Sequence, residues 1–433
     1  MIPVLDLQPE ISYMRSDLDA AYHRVMDHGR FIMGPEVRDF EQQAARYLGV
    51  KHAIAVNSGT DALLIALRAA GVGQGDEVIT TSFTFFATAE SIEMAGATPV
   101  FIDIEPGDYN MDPDRIEPAI TPRTKAIVPV HLFGKPAPMA RIMEIAERHG
   151  LMVFEDCAQS FGAVYNGTCA ACYGGRNSFD RQDVTGAGSA GAGSASAAGT
   201  GTAPGATPAA GAGAASETGA APGASPCNNE WQVKLTGRQT GTIGLAGAFS
   251  FFPSKNLGGF GDGGLITTND DQLAGQAAML RVHGAKKKYH NEVLGYNSRL
   301  DTLQAALLQV KLAYIDEFNE RRRRVAHRYL EALSGVDALQ LPALPDDGHI
   351  YHQFTIQLLA GNRDTFAEAL KEKGVQTMVY YPIPVHQLPL YHGLDVTLPV
   401  AETVKDRVIS LPVGPFLSEE DQDAVVSAVK ACL

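Results

Sequence analysis

Apolar and polar positions along the chain follow two alternating rhythms. Short apolar runs, "HAIAV" (52–56), "EVITT" (77–81), "TPVFID" (98–103), "KAIVPV" (125–130) and "LMVFED" (151–156), lack a helical period and read as strands. Between them, "TDALLIALRAAG" (60–71) and "MARIMEIAERHG" (139–150) space apolar residues three and four apart. Each of these stops at a glycine that serves as a C-cap. Such alternation predicts a parallel sheet covered by helices, an α/β architecture. After Gly295 the rhythm changes. Residues 301–334, "DTLQAALLQVKLAYIDEFNERRRRVAHRYLEALS", read as one long helix, with Asp301 and Gln304 resembling a capping box. From about residue 335 strands and helices mix, which indicates a smaller second domain.

One segment obeys neither rhythm. From Thr185 to Pro226 every residue except Glu217 is Ala, Gly, Ser, Thr or Pro. A run with so little to bury is expected to be disordered. Its flanks hold Cys169, Cys172, Cys227 and the sole tryptophan, Trp231. A Cys-x-x-Cys pair with a third cysteine lacks the fourth ligand of a zinc site, so no metal is expected.

Composition removes several function classes. The 433 residues are 45% hydrophobic, enough for a large core. With 49 acidic against 35 basic residues the net charge is −14, which disfavours nucleic acid as a partner. The basic clusters "AKKKY" (285–289) and "ERRRRV" (320–325) read as solvated loop or helix faces. No run of 18 apolar residues exists to span a membrane. The opening "MIPVLDLQPE" has neither a basic region nor an apolar run, so no signal peptide is expected. Five cysteines do not form a disulfide framework in a chain this long, and a reducing cytoplasm fits.

Three stretches carry chemistry. In "AVNSGTDALLIAL" a strand ends near Val56 and a helix begins near Thr60. Small residues there leave backbone N–H groups bare for an anion, most often phosphate; the alternative is a plain helix cap. In "VFEDCAQSFGA", Asp156 falls at the carboxyl end of a strand, where open α/β sheets bind ligands. Its alternative role is to cap the following turn. In "FSFFPSKNLGGFGDGG" (249–264), Lys255 stands alone between two strands. Gly259, Gly261 and Gly264 match a dinucleotide fingerprint by spacing, but the match runs into a strand rather than a helix and is rejected. A lone lysine, a buried acid and a phosphate site are the three needs of pyridoxal phosphate (PLP): an amine for its aldehyde, an acid for its pyridine nitrogen, a cradle for its phosphate.

With "TSFTFFATAE", "VHLFG", "GYNSRLDTLQAAL" and "YYPIPVHQ" added, these motifs occur in the order and approximate spacing of the DegT-type nucleotide-sugar aminotransferases, which the chain resembles over 1–167 and 238–433. The resemblance implies fold type I of the PLP-dependent transferases. That fold has a large domain (1–300) with a mostly parallel seven-stranded sheet, then a linking helix and a small C-terminal α+β domain (301–433). It implies Lys255 as the Schiff-base lysine and proton shuttle, and Asp156 as partner of the pyridine nitrogen. Gln159 would lie near the ring hydroxyl and Phe85 on the ring face. Gly59, Thr60 and Ser250 would hold the phosphate, Asn297 would reach it from the neighbouring subunit of a homodimer, and His386 would line the sugar pocket. Some relatives carry histidine at the lysine position and dehydrate sugars; Lys255 favours the aminotransferase branch.

The reaction so implied moves an amino group from an amino acid, glutamate, to a keto group of a nucleotide-linked sugar by ping-pong kinetics, with 3-keto sugars favoured over 4-keto. Alternatives are a PLP-bound regulatory protein without turnover and a PLP lyase. Joining Gly167 to Arg238 gives "AVYNGRQTGTIG", which resembles the family's uninterrupted hairpin, so 168–237 reads as an insertion at a hairpin tip.

Overall fold

The computed structural model describes residues 1–167, 229–342 and 347–433. The low-complexity run and Cys169, Cys172 and Cys227 lie outside the described residues.

Three helices, α1 (Gln8–Tyr13), α2 (Arg15–His28) and α3 (Pro35–Leu48), lead into the first strand. A seven-stranded sheet follows, built from β1 (His52–Val56), β2 (Glu77–Thr81), β3 (Thr98–Ile102), β4 (Thr124–Val128), β5 (Met152–Asp156), β6 (Ala246–Ser250) and β7 (Gly264–Thr268), in the order β1-β7-β6-β5-β4-β2-β3. β7 pairs antiparallel with both β1 and β6, and the other pairings are parallel. Six strands therefore point one way and β7 the other. Helices α4 (Gly59–Ala69), α5 (Ala87–Ala95), α6 (Met139–His149) and α8 (Asp271–Leu280) cover the sheet, while α7 (Asn229–Leu235) lies outside α6. Both faces of the sheet are covered, so most of its strand residues are buried. α4, for example, buries every residue from Ala62 to Leu67.

β8 (Ala285–Lys287) and β9 (His290–Asn291) form a small exposed hairpin. Then come α9 (Thr302–Leu312) and α10 (Ile315–Ala332). A second sheet, β10 (Leu339–Gln340), β11 (Phe354–Leu358) and β12 (Val408–Leu411), is antiparallel and packs with α11 (Arg363–Glu372) and α13 (Glu419–Cys432) around a core of its own. A short helix, α12 (Pro399–Val404), precedes β12. No helix among the described residues is long and apolar enough to cross a membrane.

Four sequence expectations need correction. The long helix over 301–334 is two helices, broken at Ala313–Tyr314, where N–H groups bond back three residues rather than four. The break turns the Tyr314 hydroxyl to donate to Asp17 Oδ2 on α2 at 2.7 Å. The capping box does not form: Asp301 makes no side-chain cap, and Gln304 Oε1 accepts from the Phe260 N–H at 2.9 Å instead. The arginine run is not all solvated, since Arg322 is buried and donates from Nη1 to the Val413 carbonyl at 3.1 Å. The insertion read over 168–237 is folded at its return flank, where α7 forms and Leu235 is fully buried against α6 and β5 neighbours.

Candidate active site

Parallel strands bring their carboxyl ends to one edge, and the ends of β1, β2, β5 and β6 meet there. Helix α4 starts directly after β1. Ser58 caps it by accepting from the Asp61 N–H at 3.1 Å. The Gly59 and Thr60 N–H groups in the first turn have no carbonyl one turn back to meet, and the helix dipole adds positive potential. Two glycines let this turn settle on the sheet. A Cβ at Gly59 would lie 2.6 Å from Ser250 Cβ at the end of β6, and one at Gly264 would lie 2.1 Å from the Ser58 carbonyl oxygen. The result is a cradle of bare N–H groups beside the Ser250 hydroxyl, suited to a phosphate.

Glu155 and Asp156 are neighbours on β5, so their side chains take opposite faces. Asp156 faces the sheet edge. Its Oδ2 accepts from Thr88 Oγ1 at 2.8 Å and its Oδ1 from the Ala158 N–H at 3.1 Å. Thr88 Oγ1 lies 3.0 Å from Thr84 Oγ1, so one short motif after β2 holds the carboxylate and also carries Phe85. Glu155 is fully buried on the other face. It accepts from the N–H groups of Gly241 (2.9 Å), Ile243 (2.7 Å) and Gly244 (2.8 Å) and from His131 Nε2 (3.0 Å). His131, Glu155 and Cys157 stand close enough for a metal, but these bonds already occupy the carboxylate, and His131 Nδ1 accepts from the Ala137 N–H. The cluster is a knot that ties the loop before β6 to β5.

Lys255 sits in the loop between β6 and β7, half-buried. Burial pushes its amine down to about 8, partly offset by the Asp156 carboxylate, so a useful fraction is neutral near physiological pH. The loop is pinned at both sides: the Lys255 N–H donates to Phe252 O at 2.8 Å and the Gly259 N–H to Phe251 O at 2.7 Å. Gln304 holds Phe260 beyond it.

Gln159 is buried with a fixed amide. The Phe133 N–H can only donate, and it donates to Oε1 at 2.6 Å, so Nε2 is left to donate to the Tyr381 hydroxyl at 3.1 Å. Phe85 is 62% exposed, its ring centroid 6.4 Å from that of Tyr381. Asn297 faces outward, while the next residue, Ser298, is buried and donates from Oγ to Asn57 Oδ1 at 3.1 Å. His386 is buried in a short turn, its Nε2 3.1 Å from Glu402 Oε1 and its Nδ1 unpartnered among the described residues. Val385, beside it, donates its N–H to Ser82 O after β2, so this turn leans on the same sheet edge.

Sequence reasoning missed Thr88, Glu155, Tyr381 and Gln304. Thr88 and Tyr381 lay inside motifs already singled out, and the two-residue strand period separates Glu155 from Asp156. Nothing local in the sequence marks Gln304 as a loop brace.

A phosphate cradle, an anchored carboxylate and an amine near neutrality, all at one sheet edge, suit pyridoxal phosphate. The chain matches the model of the DegT/DnrJ/EryC1/StrS aminotransferase family over residues 12–192 and 229–430. It is 41% identical to a protein of Geobacillus stearothermophilus named pleiotropic regulatory protein, covering 99% of this chain and 97% of that one. It is 39% identical to a UDP-N-acetyl-3-dehydro-alpha-D-glucosamine 3-aminotransferase of Acidithiobacillus ferrooxidans, covering 100% and 98%. Among solved structures, S. venezuelae DesV in complex with a ketimine intermediate is similar with a TM-score of 0.80 and 37% identity, covering 99% of this chain and 98% of that one. The likeness runs the length of the chain in both sequence and structure, and the chain belongs to the DegT/DnrJ/EryC1/StrS family as an aminotransferase that uses pyridoxal phosphate.

Proposed function

We propose that this enzyme carries an amino group from L-glutamate to the 3-keto position of a nucleotide-linked sugar. The observation that carries the reading is the convergence of Lys255, Asp156 and the α4 N-terminus on one sheet edge. The relative from Acidithiobacillus ferrooxidans, named for amination at position 3 of a UDP-linked sugar, supports that ring position.

When bound, the cofactor supplies an electron sink for the negative charge that develops on the amino-acid α-carbon. Each residue then has a defined task. Gly59 and Thr60 N–H groups and the Ser250 hydroxyl hold the phosphate. Asp156, held by Thr88 and Ala158, presents its free lone pairs to the pyridine nitrogen and keeps that nitrogen protonated. Gln159 stands at the ring hydroxyl and Phe85 covers the ring face. Lys255, freed by the incoming amino group, takes the α-proton of the donor and later delivers a proton to the sugar carbon. His386 borders the sugar.

Asn297 faces outward, as a residue does that serves the phosphate site of a second protomer. The working unit proposed is therefore a homodimer with shared sites. Sedimentation tests it: an active monomer at assay concentration removes Asn297 from the site.

The name of the Geobacillus stearothermophilus relative favours a second reading, a PLP-bound regulator without turnover. An intact Lys255, Asp156 and Gln159 argue for turnover. Adding glutamate to the purified enzyme separates the two. Turnover converts the cofactor's absorbance to that of the pyridoxamine form with one equivalent of 2-oxoglutarate, and a regulator leaves the spectrum unchanged. Adding 3-keto and 4-keto nucleotide sugars to the aminated enzyme then reads the ring position, and recovery of the original spectrum with the 4-keto sugar alone would overturn it.

A further inference from the structure

The turn after β4 decides how Gln159 is presented. Residues 131–135 fold back tightly: the Gly134 N–H donates to His131 O at 3.4 Å and the Lys135 N–H to Leu132 O at 3.0 Å. Phe133, buried inside the turn, has φ +58. A phenylalanine keeps that left-handed conformation only where its neighbours hold it. The Phe133 N–H is the group that donates to Gln159 Oε1.

Asn110, in the connection between β3 and β4, is fully buried and spans this turn. Its Oδ1 accepts from the Leu132 N–H at 3.0 Å, and its Nδ2 donates to the Lys135 carbonyl at 3.3 Å. An N–H only donates and a carbonyl only accepts, so the amide has one orientation and grips the turn on both sides of Phe133. Asp108 backs the grip. Its Oδ1 accepts from the Asn110 N–H at 3.1 Å, and its Oδ2 lies 3.5 Å from Lys135 Nζ. The same rule orients Gln159. With Oε1 taken by Phe133, Nε2 is the end it has left to offer. One hydrogen of that nitrogen goes to the Tyr381 hydroxyl, and the other has no partner among the described residues.

We propose that Asn110 is a positioning residue for the cofactor site: it holds the Phe133 N–H on Gln159 and so keeps the Gln159 amide turned to present its nitrogen, a donor, to the cofactor's ring oxygen. The proposal rests on the reading that Gln159 stands at the ring hydroxyl. A donor there favours the ionised ring oxygen, whereas a flipped amide would present a carbonyl that opposes it.

Two readouts test this. In the cofactor-free full chain, hydrogen exchange at the Phe133 amide reads its bond to Gln159. Asn110→Ala should speed that exchange by about fivefold or more, the factor one lost hydrogen bond is worth, and Gln159→Ala should do the same. Exchange at Phe133 that is unchanged in Asn110→Ala, or that rises only as much as exchange across β4 and β5, overturns the proposal. In the loaded enzyme, the pH midpoint of the cofactor's absorbance change reads the donor at the ring oxygen. It should rise by about half a unit or more in Gln159→Ala and in Asn110→Ala, and Asn110→Ala should add nothing once Gln159 is gone. An equal shift from Asn110→Ala with and without Gln159 overturns the proposal. A shift in Gln159→Ala but none in Asn110→Ala overturns it while sparing the reading of Gln159. No shift in Gln159→Ala overturns it through that reading. Should Asn110→Ala not fold, exchange in the cofactor-free wild type decides. Equal protection of the Leu132 and Phe133 amides means that the grip and the Gln159 bond open together and supports the proposal; unequal protection overturns it.

Discussion

A Cβ placed on Gly59 would lie 2.6 Å from the Cβ of Ser250, a contact no packed structure sustains. Gly59→Ala must therefore lift the first turn of α4 away from β6. The turn carries the bare N–H groups, so the same shift opens the phosphate cradle. Overpacking of this kind costs roughly 1–3 kcal/mol, and cofactor affinity should fall about tenfold or more. Ser58→Ala should lose only the helix cap, about 1 kcal/mol of stability. Equilibrium dialysis with pyridoxal phosphate compares the two. Wild-type affinity in Gly59→Ala would remove the α4 start from the phosphate site.

Lys255 gives a stability prediction with a definite sign. Its folded value is about 8, and an unfolded lysine titrates near 10.4. Between these values the unfolded chain binds the extra proton, so stability of the cofactor-free chain rises with pH across that window. Below it the buried ammonium is a full cost. Lys255→Met should thus melt higher than the wild type at pH 7 when both lack cofactor, by an amount equivalent to up to about 3 kcal/mol. The gap should close as pH climbs from 8 towards 10.4. Borohydride reduction of the loaded wild type, followed by peptide mapping, should place the pyridoxyl group on Lys255; a label elsewhere rejects the lysine assignment.

Asp156 and Thr88 should differ in degree. Asp156→Asn replaces a charge with an amide that cannot keep the ring nitrogen protonated. Cofactor should still bind, but the glutamate half-reaction should slow by a barrier of about 3–4 kcal/mol. Thr88→Val frees one carboxylate oxygen without removing charge, a loss of about 1 kcal/mol. Single-turnover absorbance with glutamate measures both. A rate near that of the wild type for Asp156→Asn would end its proposed role.

Much of this arrangement was legible because it rests on local patterns. The apolar runs gave the strands of the large sheet's first half within a residue or two, and glycine marked the ends of α4 and α6. Lys255 and Asp156 stood out because each sits in a short motif at a strand end. What stayed hidden depends on partners distant in sequence. Gln304 is a sound capping residue by spacing, yet Phe260, 44 residues away, takes its oxygen. Arg322 lies in a run of four arginines that reads as solvated, yet the Val413 carbonyl draws it inside. The Asn256–His352 bond spans 96 residues and has no sequence signature.

The insertion shows the same limit and supplies the last prediction. Its hairpin stem is closed: Tyr165 donates its N–H to Arg238 O at 2.8 Å, and Gly237 donates its N–H to Tyr165 O at 2.9 Å. On the return side α7 is held to the body of the enzyme. Trp231 Nε1 donates to Glu147 Oε2 of α6 at 3.1 Å, and the Tyr165 hydroxyl donates to Gln232 Oε1 at 3.2 Å. Gly167 (φ +75) has no room for a side chain beside Gln232. Leu235 is fully buried among Ile142, Tyr165 and Ile243. Two deletions should therefore part company. Replacing 168–228 with a short glycine–serine linker keeps α7, so cofactor binding and the glutamate half-reaction should persist. Its stability should rise by at most roughly 3 kcal/mol from the shorter loop. Removing 168–237 also strips Leu235 and Trp231 from their packing and should cost about 2–5 kcal/mol, as deletion of a large buried side chain does. Melting temperatures of the two variants give the ordering. Equal melting would mean that α7 adds no packing energy, and loss of the sugar half-reaction alone in the shorter deletion would place the insertion over the sugar site.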